Sequence, residues 1–182
     1  MKTSLQNARS FLFVPANRPE RFEKALASGA DAVILDLEDS VPLQSKAEAR
    51  QAIRSSWQVL KESKVSVVIR INSPDTEWGQ EDLKGLQGLI GLSGVMVPKC
   101  ESASSLKRVS EAFGEVPTLP IIESAVGYLA LAEISRAPQV CRLVVGHIDF
   151  LADTGMALFV HHAQALGHAF AVEGVGGACQ GG

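Results

Sequence analysis

Short apolar runs recur along the chain, and each gives way to a segment with apolar positions at helical spacing. The runs are Phe11–Pro15 (FLFVP), Ala32–Glu38, Val65–Asn72 (VSVVIRIN), Gly94–Lys99 (GVMVPK), Leu119–Glu123 (LPIIE) and Arg142–His147 (RLVVGH). They are near-continuous in apolar residues, as strands covered on both faces should be. The intervening segments predict helices. Pro19–Ser28 carries Phe22, Ala25 and Leu26 at helical spacing, with Pro19 suited to a first turn and Gly29 as a stop. Pro42–Lys61 predicts a long helix with Ala47, Ile53, Trp57 and Leu60 among its apolar positions. Asp75–Leu92 predicts a less regular helical region, and Ser102–Phe113 a helix opening on a serine cap. Tyr128–Arg136 predicts a helix that ends before Pro138.

Strands alternating with helices at this spacing imply βαβ units and a parallel sheet. No linker interrupts the pattern, so residues 1–157 read as one domain. Beyond Ala157 the pattern fails, and residues 158–182 read as an atypical tail. Its GVGGACQGG lacks the flanking strand and helix of a phosphate loop and is expected to be flexible.

The ends of the apolar runs carry the chemistry. The second run finishes at Asp36, Glu38 and Asp39, and the third carries Arg70, with Asn72 on the same face by two-residue alternation. The fourth ends at Lys99, the fifth at Glu123, and the sixth runs into His147 and Asp149. Strand starts are not similarly charged (Phe11, Ala32, Gly94, Leu119). Parallel α/β folds place their sites at the C-terminal ends of strands, where these groups would converge. So many carboxylates in a small volume call for a neutralising divalent cation. Hard oxygen ligands with few histidines favour magnesium or manganese.

Composition narrows the function further. The 182 residues are 46% hydrophobic and 20% charged, enough for one good core. A net charge of -3 gives no basic field for nucleic acid or an anionic membrane. No apolar run approaches the ~20 residues that span a bilayer. The N-terminal MKTSLQNARS lacks an apolar secretory core. Cys100, Cys141 and Cys179 are widely spaced and form no metal pattern, which predicts free thiols and a cytoplasmic location.

Five segments in order carry a resemblance: FLFVPANRPERFEKALASGADAVILDLEDSV, VIRIN, VMVPKCES, LPIIESAVG and VVGHIDFLADTG. From Ser10 to Gly155 the chain resembles the HpcH/HpaI aldolase and citrate lyase superfamily, in its citrate lyase beta-subunit-like branch. The resemblance implies a (β/α)8 TIM-barrel fold and a homo-oligomer, trimer or hexamer, with citrate lyase-type partner subunits also possible. It implies magnesium-dependent carbon–carbon cleavage of a coenzyme A thioester such as citryl-, malyl- or citramalyl-CoA. Position by position, it places Glu123 and Asp149 as metal ligands. Arg70 falls on the oxo-acid carboxylate, and Glu38 and Asp39 in the acidic motif that holds metal-bound water. Phe13, Arg18 and Lys24 fall near the coenzyme A contacts. A bidentate grip on a carboxylate suits an arginine better than a lysine.

The residues leave other readings open. Glu123 also fits a surface strand end, Asp149 a helix N-cap, and Lys24 a solvated helix face. Glu38 or Asp39 could pair with Lys99. His147 fits a local hydrogen bond better than catalysis, and His161, His162 and His168 fall in the tail. A complete barrel of this kind needs roughly 250 residues. Only six units are countable here, so the expected barrel is incomplete. Related lyases take a lid and a catalytic aspartate from a C-terminal segment that nothing here matches. The alternatives are an inactive truncated product, a barrel completed by another chain, and a metal-dependent aldolase acting on a free 2-oxo acid.

Overall fold

A computed structural model describes residues 4–156; the tail, with His161, His162, His168, Cys179 and GVGGACQGG, lies outside the described residues. Six parallel strands pair in chain order: β1 (Phe11–Pro15), β2 (Ala32–Asp36), β3 (Ser66–Arg70), β4 (Gly94–Val97), β5 (Thr118–Ile122) and β6 (Val144–Val145). The sheet curls into an incomplete TIM-type barrel. Helices α1 (Phe22–Leu26), α2 (Lys46–Glu62), α3 (Glu77–Gly85), α4 (Ala103–Phe113), α5 (Ala125–Leu129), α6 (Leu131–Ile134) and α7 (His147–Thr154) follow the strands.

Strand alternation divides the core. Val33, Leu35, Val67, Ile69, Val95 and Val97 face outward and pack under the helices with Ile53, Trp57, Leu60 and Leu106. Ala32, Ile34, Val68, Met96, Leu119 and Ile121 form the barrel interior. Ile34 and Leu35 lose all solvent contact, worth about 1.5–3 kcal/mol each relative to exposure. The interior is closed below by Leu5, which the polar N-terminal segment gave no reason to expect inside. Arg142 fixes that segment by donating to the carbonyls of Ala8 at 2.6 Å and Gln6 at 3.2 Å.

Several element boundaries differ from the sequence reading. The long helix starts at Lys46 after a single 3₁₀ turn at Leu43–Ser45. Its buried stripe is Ala49, Ile53, Trp57 and Leu60, so Ala47 falls on the exposed side. Ser102 occupies the N-cap position of α4, but its hydroxyl meets those of Ser104 and Ser105 instead of a helix N–H. The expected Tyr128–Arg136 helix is two short ones, because Ser124 starts α5 early by capping Gly127 at 3.1 Å. The sixth strand shrinks to two residues, since His147 already begins α7.

Glycine brings two helices close to the strand ends. A β-carbon at Gly79 would overlap the Ser73 carbonyl oxygen, and one at Gly127 would lie 2.7 Å from that of Cys100. Thr76 and Ser124 cap the N–H groups of these two glycines. Cap and glycine together press α3 and α5 onto the loops that frame the mouth.

Candidate functional site

Strand register builds the first half of the mouth. Asp36 and Arg70 are Cα partners across β2 and β3. Arg70 donates from Nε to Asp36 Oδ1 and from Nη2 to Oδ2, both at 2.7 Å, in a fork-to-fork pair. Asp36 also accepts from the N–H groups of Glu38 (2.9 Å) and Ser40 (3.1 Å), which folds the acidic loop back over the strand end. Burial works against its charge, yet the arginine and these N–H groups hold its carboxyl below the ordinary value.

Glu38 is buried beside this pair. Lys99 Nζ donates to Glu38 Oε1 at 2.9 Å, and Arg70 Nη1 lies 3.1 Å from Oε2, off the line of an N–H. Burial outweighs both cations and raises its pKa. Asp39 is exposed and makes only a 3.3 Å contact with Arg70 Nη1. The Arg70 guanidinium stands 5.0 Å over the ring of Phe13, a cation–π arrangement that fixes its plane. Burial disfavours its charge, but Asp36, Glu38 and Asp39 more than compensate and push its pKa up.

Behind the loop stands a residue the sequence gave no reason to single out. Lys46 is buried, and its ammonium donates to the carbonyls of Leu37 (2.7 Å) and Glu38 (2.9 Å). Asn72 does not join Arg70, because β3 has already ended and alternation no longer applies. Its amide donates to the Leu37 carbonyl (3.0 Å) and to Asp82 of α3 (2.7 Å).

The second half of the mouth lies at β5, β6 and α7. Glu123 follows β5 directly and is 9% exposed. Its Oε2 accepts from the backbone N–H of Lys99 at 3.2 Å. Burial, with Glu38 and Asp149 nearby, pushes its pKa up to about 7. Asp149 sits in the first turn of α7, not at a strand end. Glu123 and Asp149 line one cleft of about 560 Å³ with Ser73, Asp75, Lys99, Glu101, Ser124, Ala152 and Asp153. The two carboxylates therefore face a common space.

Other expected residues stand apart. Arg18 is half exposed and donates from Nε to Glu20 Oε1, Lys24 is exposed on α1, and neither lines the cleft. His147 opens α7 without lining the cleft. Cys100 and Cys141 are free thiols, and burial pushes Cys100 up to about 11.

The donor set suits a hard divalent cation. Among the described residues no group of three or more His, Cys, Asp or Glu forms a ready-made cage. Magnesium does not need one, since it is commonly held by one or two carboxylates and keeps several waters. Glu123 and Asp149 could supply two oxygen ligands, and burial followed by the neighbouring Glu38 and Asp149 charges raises the Glu123 pKa.

Comparison with known proteins places this arrangement. The HpcH/HpaI aldolase/citrate lyase family matches residues 9–180. A (3S)-malyl-CoA thioesterase of Cereibacter sphaeroides is 33% identical over 141 residues, 78% of this chain and 49% of that protein. The citrate lyase beta subunit of M. tuberculosis, complexed with oxaloacetate and magnesium, superposes with a TM-score of 0.71 at 36% identity. That match covers 86% of this chain and 66% of that one. CitE from the same organism, in complex with magnesium, acetoacetate and coenzyme A, gives 0.65 at 36% identity, over 85% and 54% of the two chains. The chain spans about half the length of the curated relatives it matches. Sequence and fold agree: the chain belongs to the HpcH/HpaI aldolase/citrate lyase family.

Proposed function

We propose that this chain carries the metal-binding and oxo-acid-binding mouth of a magnesium-dependent carbon–carbon lyase. Its substrate is a short hydroxyacyl-CoA thioester of the citryl-, malyl- or citramalyl-CoA type, cleaved to a 2-oxo acid and an acyl-CoA. The observation that carries the reading is the convergence of Glu123 and Asp149 on one cleft, beside the Asp36–Arg70 fork.

Glu123 and Asp149 would hold Mg2+, or Mn2+, which when bound supplies Lewis-acid polarisation of the oxo-acid oxygens. Arg70 takes the oxo-acid carboxylate through Nη1. That nitrogen has only the 3.3 Å bond to Asp39 and the off-line contact with Glu38, while Nε and Nη2 are spent on Asp36. Glu38 and Asp39 keep water and the guanidinium in place. Arg70 and Lys99 bring positive charge to the mouth, where an enolate would otherwise be unsupported.

The rim is polarised. Asp75, Glu101 and Asp153, which follow β3, β4 and β6, line the cleft, whereas Phe13, Arg18 and Lys24 lie on the β1–α1 side. The anionic end of coenzyme A approaches over the latter. The lyase works as a cytoplasmic homo-oligomer.

One observation favours a second reading, a barrel fragment that needs completion. The open sheet edges expose Leu12 and Phe13 on β1, Val145 on β6 and Ile148 on α7. Turnover separates the two. Malyl-, citramalyl- and citryl-CoA are offered with Mg2+ to the wild type, Glu123→Ala and Arg70→Lys. The lyase reading expects magnesium-dependent cleavage by wild type and loss in both variants. Equal inertness of all three favours the fragment, and full activity of Glu123→Ala removes the metal assignment.

A further inference from the structure

Gly146 has no backbone reason to be glycine. Its φ of -86° is open to any L-residue, unlike that of Gly155 at +67°. The reason is spatial. A β-carbon at Gly146 would fall on Glu123 Cγ, 2.7 Å from Oε1 and 3.0 Å from Cδ. Strand register explains the meeting. Ile122 pairs with Val145, so Glu123 and Gly146 are the next pair along, and the Gly146 N–H donates to the Ile122 carbonyl at 3.0 Å. The Glu123 side chain lies flat over the bare α-carbon with Oε2 on the Lys99 N–H. Asp149 follows Gly146 by three residues in the first turn of α7.

The contrast with the other tight glycines is informative. Added β-carbons at Gly79 and Gly127 would meet backbone carbonyls, which cannot move without the fold, and one at Gly94 would meet the core side chain of Leu5 at 2.5 Å. At Gly146 the three nearest atoms all belong to Glu123, the side chain that shares a cleft with Asp149. A substitution there is relieved by swinging that carboxylate away and leaving the sheet as it is.

We infer that Gly146 is a positioning residue for the metal-ligating carboxylate: its missing side chain fixes the pose in which Glu123 shares an ion with Asp149. The inference rests on the metal reading proposed above and adds the residue that sets its geometry.

Two measurements on the full chain test it. The first is Mn2+ affinity by electron paramagnetic resonance for wild type, Gly146→Ala and Glu123→Ala. Gly146→Ala should weaken binding by about 10- to 100-fold, the range for residues that orient a ligand, with an unchanged circular dichroism spectrum. The second is a metal-free thermal cycle with Gly146→Ala made in the wild-type and Glu123→Ala backgrounds. The drop in Tm should appear with Glu123 present and vanish in its absence. Wild-type Mn2+ affinity in Gly146→Ala, or an equal drop in both backgrounds, overturns the inference and leaves the metal reading standing. A wild type that binds no Mn2+ overturns the metal reading and the inference with it.

Discussion

The two sides of the mouth solve the problem of buried charge differently. On the β2–β3 side, Asp36 and Glu38 each face a cation: Asp36 has both oxygens on Arg70, and Glu38 has Lys99 and the edge of Arg70. On the β5–α7 side, Glu123 faces Asp149 and Glu38, and its own hydrogen bond is one backbone N–H. The first side meets its buried carboxylates with two cations as folded, although burial still raises the Glu38 pKa and leaves its Oε2 without a hydrogen bond. The second carries a surplus of negative charge that a cation would resolve. Lys99 joins them, its ammonium on Glu38 and its backbone N–H on Glu123. On the metal reading proposed above, the cation-paired half would set the geometry and the Glu123–Asp149 half would supply the affinity.

The sharpest way to break this comparison is to remove one charge from each side. Arg70→Met strands Asp36, which is 1% exposed, beside the buried Glu38. Deleting one partner of such a pair costs about 3–5 kcal/mol. Urea unfolding of the metal-free protein should show that loss. Glu123→Gln should leave the metal-free protein at least as stable as wild type, because it removes a repelled carboxylate. If the two substitutions destabilise equally, the sides are not different in kind.

Acid offers a smaller and graded test. The Asp36 carboxyl is held below its unfolded value, so the unfolded chain takes up the proton first as pH falls. Its contribution is complete above the unfolded pKa of about 3.9 and is lost as pH drops through the lower folded value. Each unit of depression is worth about 1.4 kcal/mol. Stability measured against pH should therefore fall below about pH 4 in wild type, with a shallower slope in Asp36→Asn. Parallel curves would mean that Asp36 is not the group that titrates.

The strand ends were legible because a parallel strand buried on both faces leaves a continuous apolar run, and its first charge marks where it emerges. The partner of each charge was not. Asp36 sits in the same acidic cluster as Glu38 and Asp39, and only the register that sets it beside Arg70 makes it the arginine's main acceptor. Lysine in the first turn of a helix reads as solvated, so nothing local announces that Lys46 turns inward to two carbonyls. Gly146 reads as the end of a short strand, and its meaning depends on a side chain 23 positions earlier. Leu5 is one apolar residue in a polar stretch and carries no periodicity to detect. Topology survives in local pattern, whereas pairing across strands is written in tertiary distance.

Lys99 gives the finest discrimination between the two sides. Its φ is +48°, a left-handed conformation that costs a residue with a β-carbon roughly 1–2 kcal/mol. Lys99→Gly removes that strain, at an entropic cost of about 0.5–1 kcal/mol for the freer unfolded chain. It also removes the ion pair with Glu38, whose lysine side chain is 51% exposed. Such a half-exposed pair is worth at most about 1 kcal/mol. The backbone N–H on Glu123 survives. These terms oppose one another, so stability should stay within about 1 kcal/mol of wild type in urea titrations. Lys99→Val loses the same pair but keeps a β-branched side chain at positive φ, and it should unfold more readily than Lys99→Gly. If Lys99→Gly is as costly as Arg70→Met, the ammonium is holding both sides as one network, and the division of the mouth into two independent halves fails.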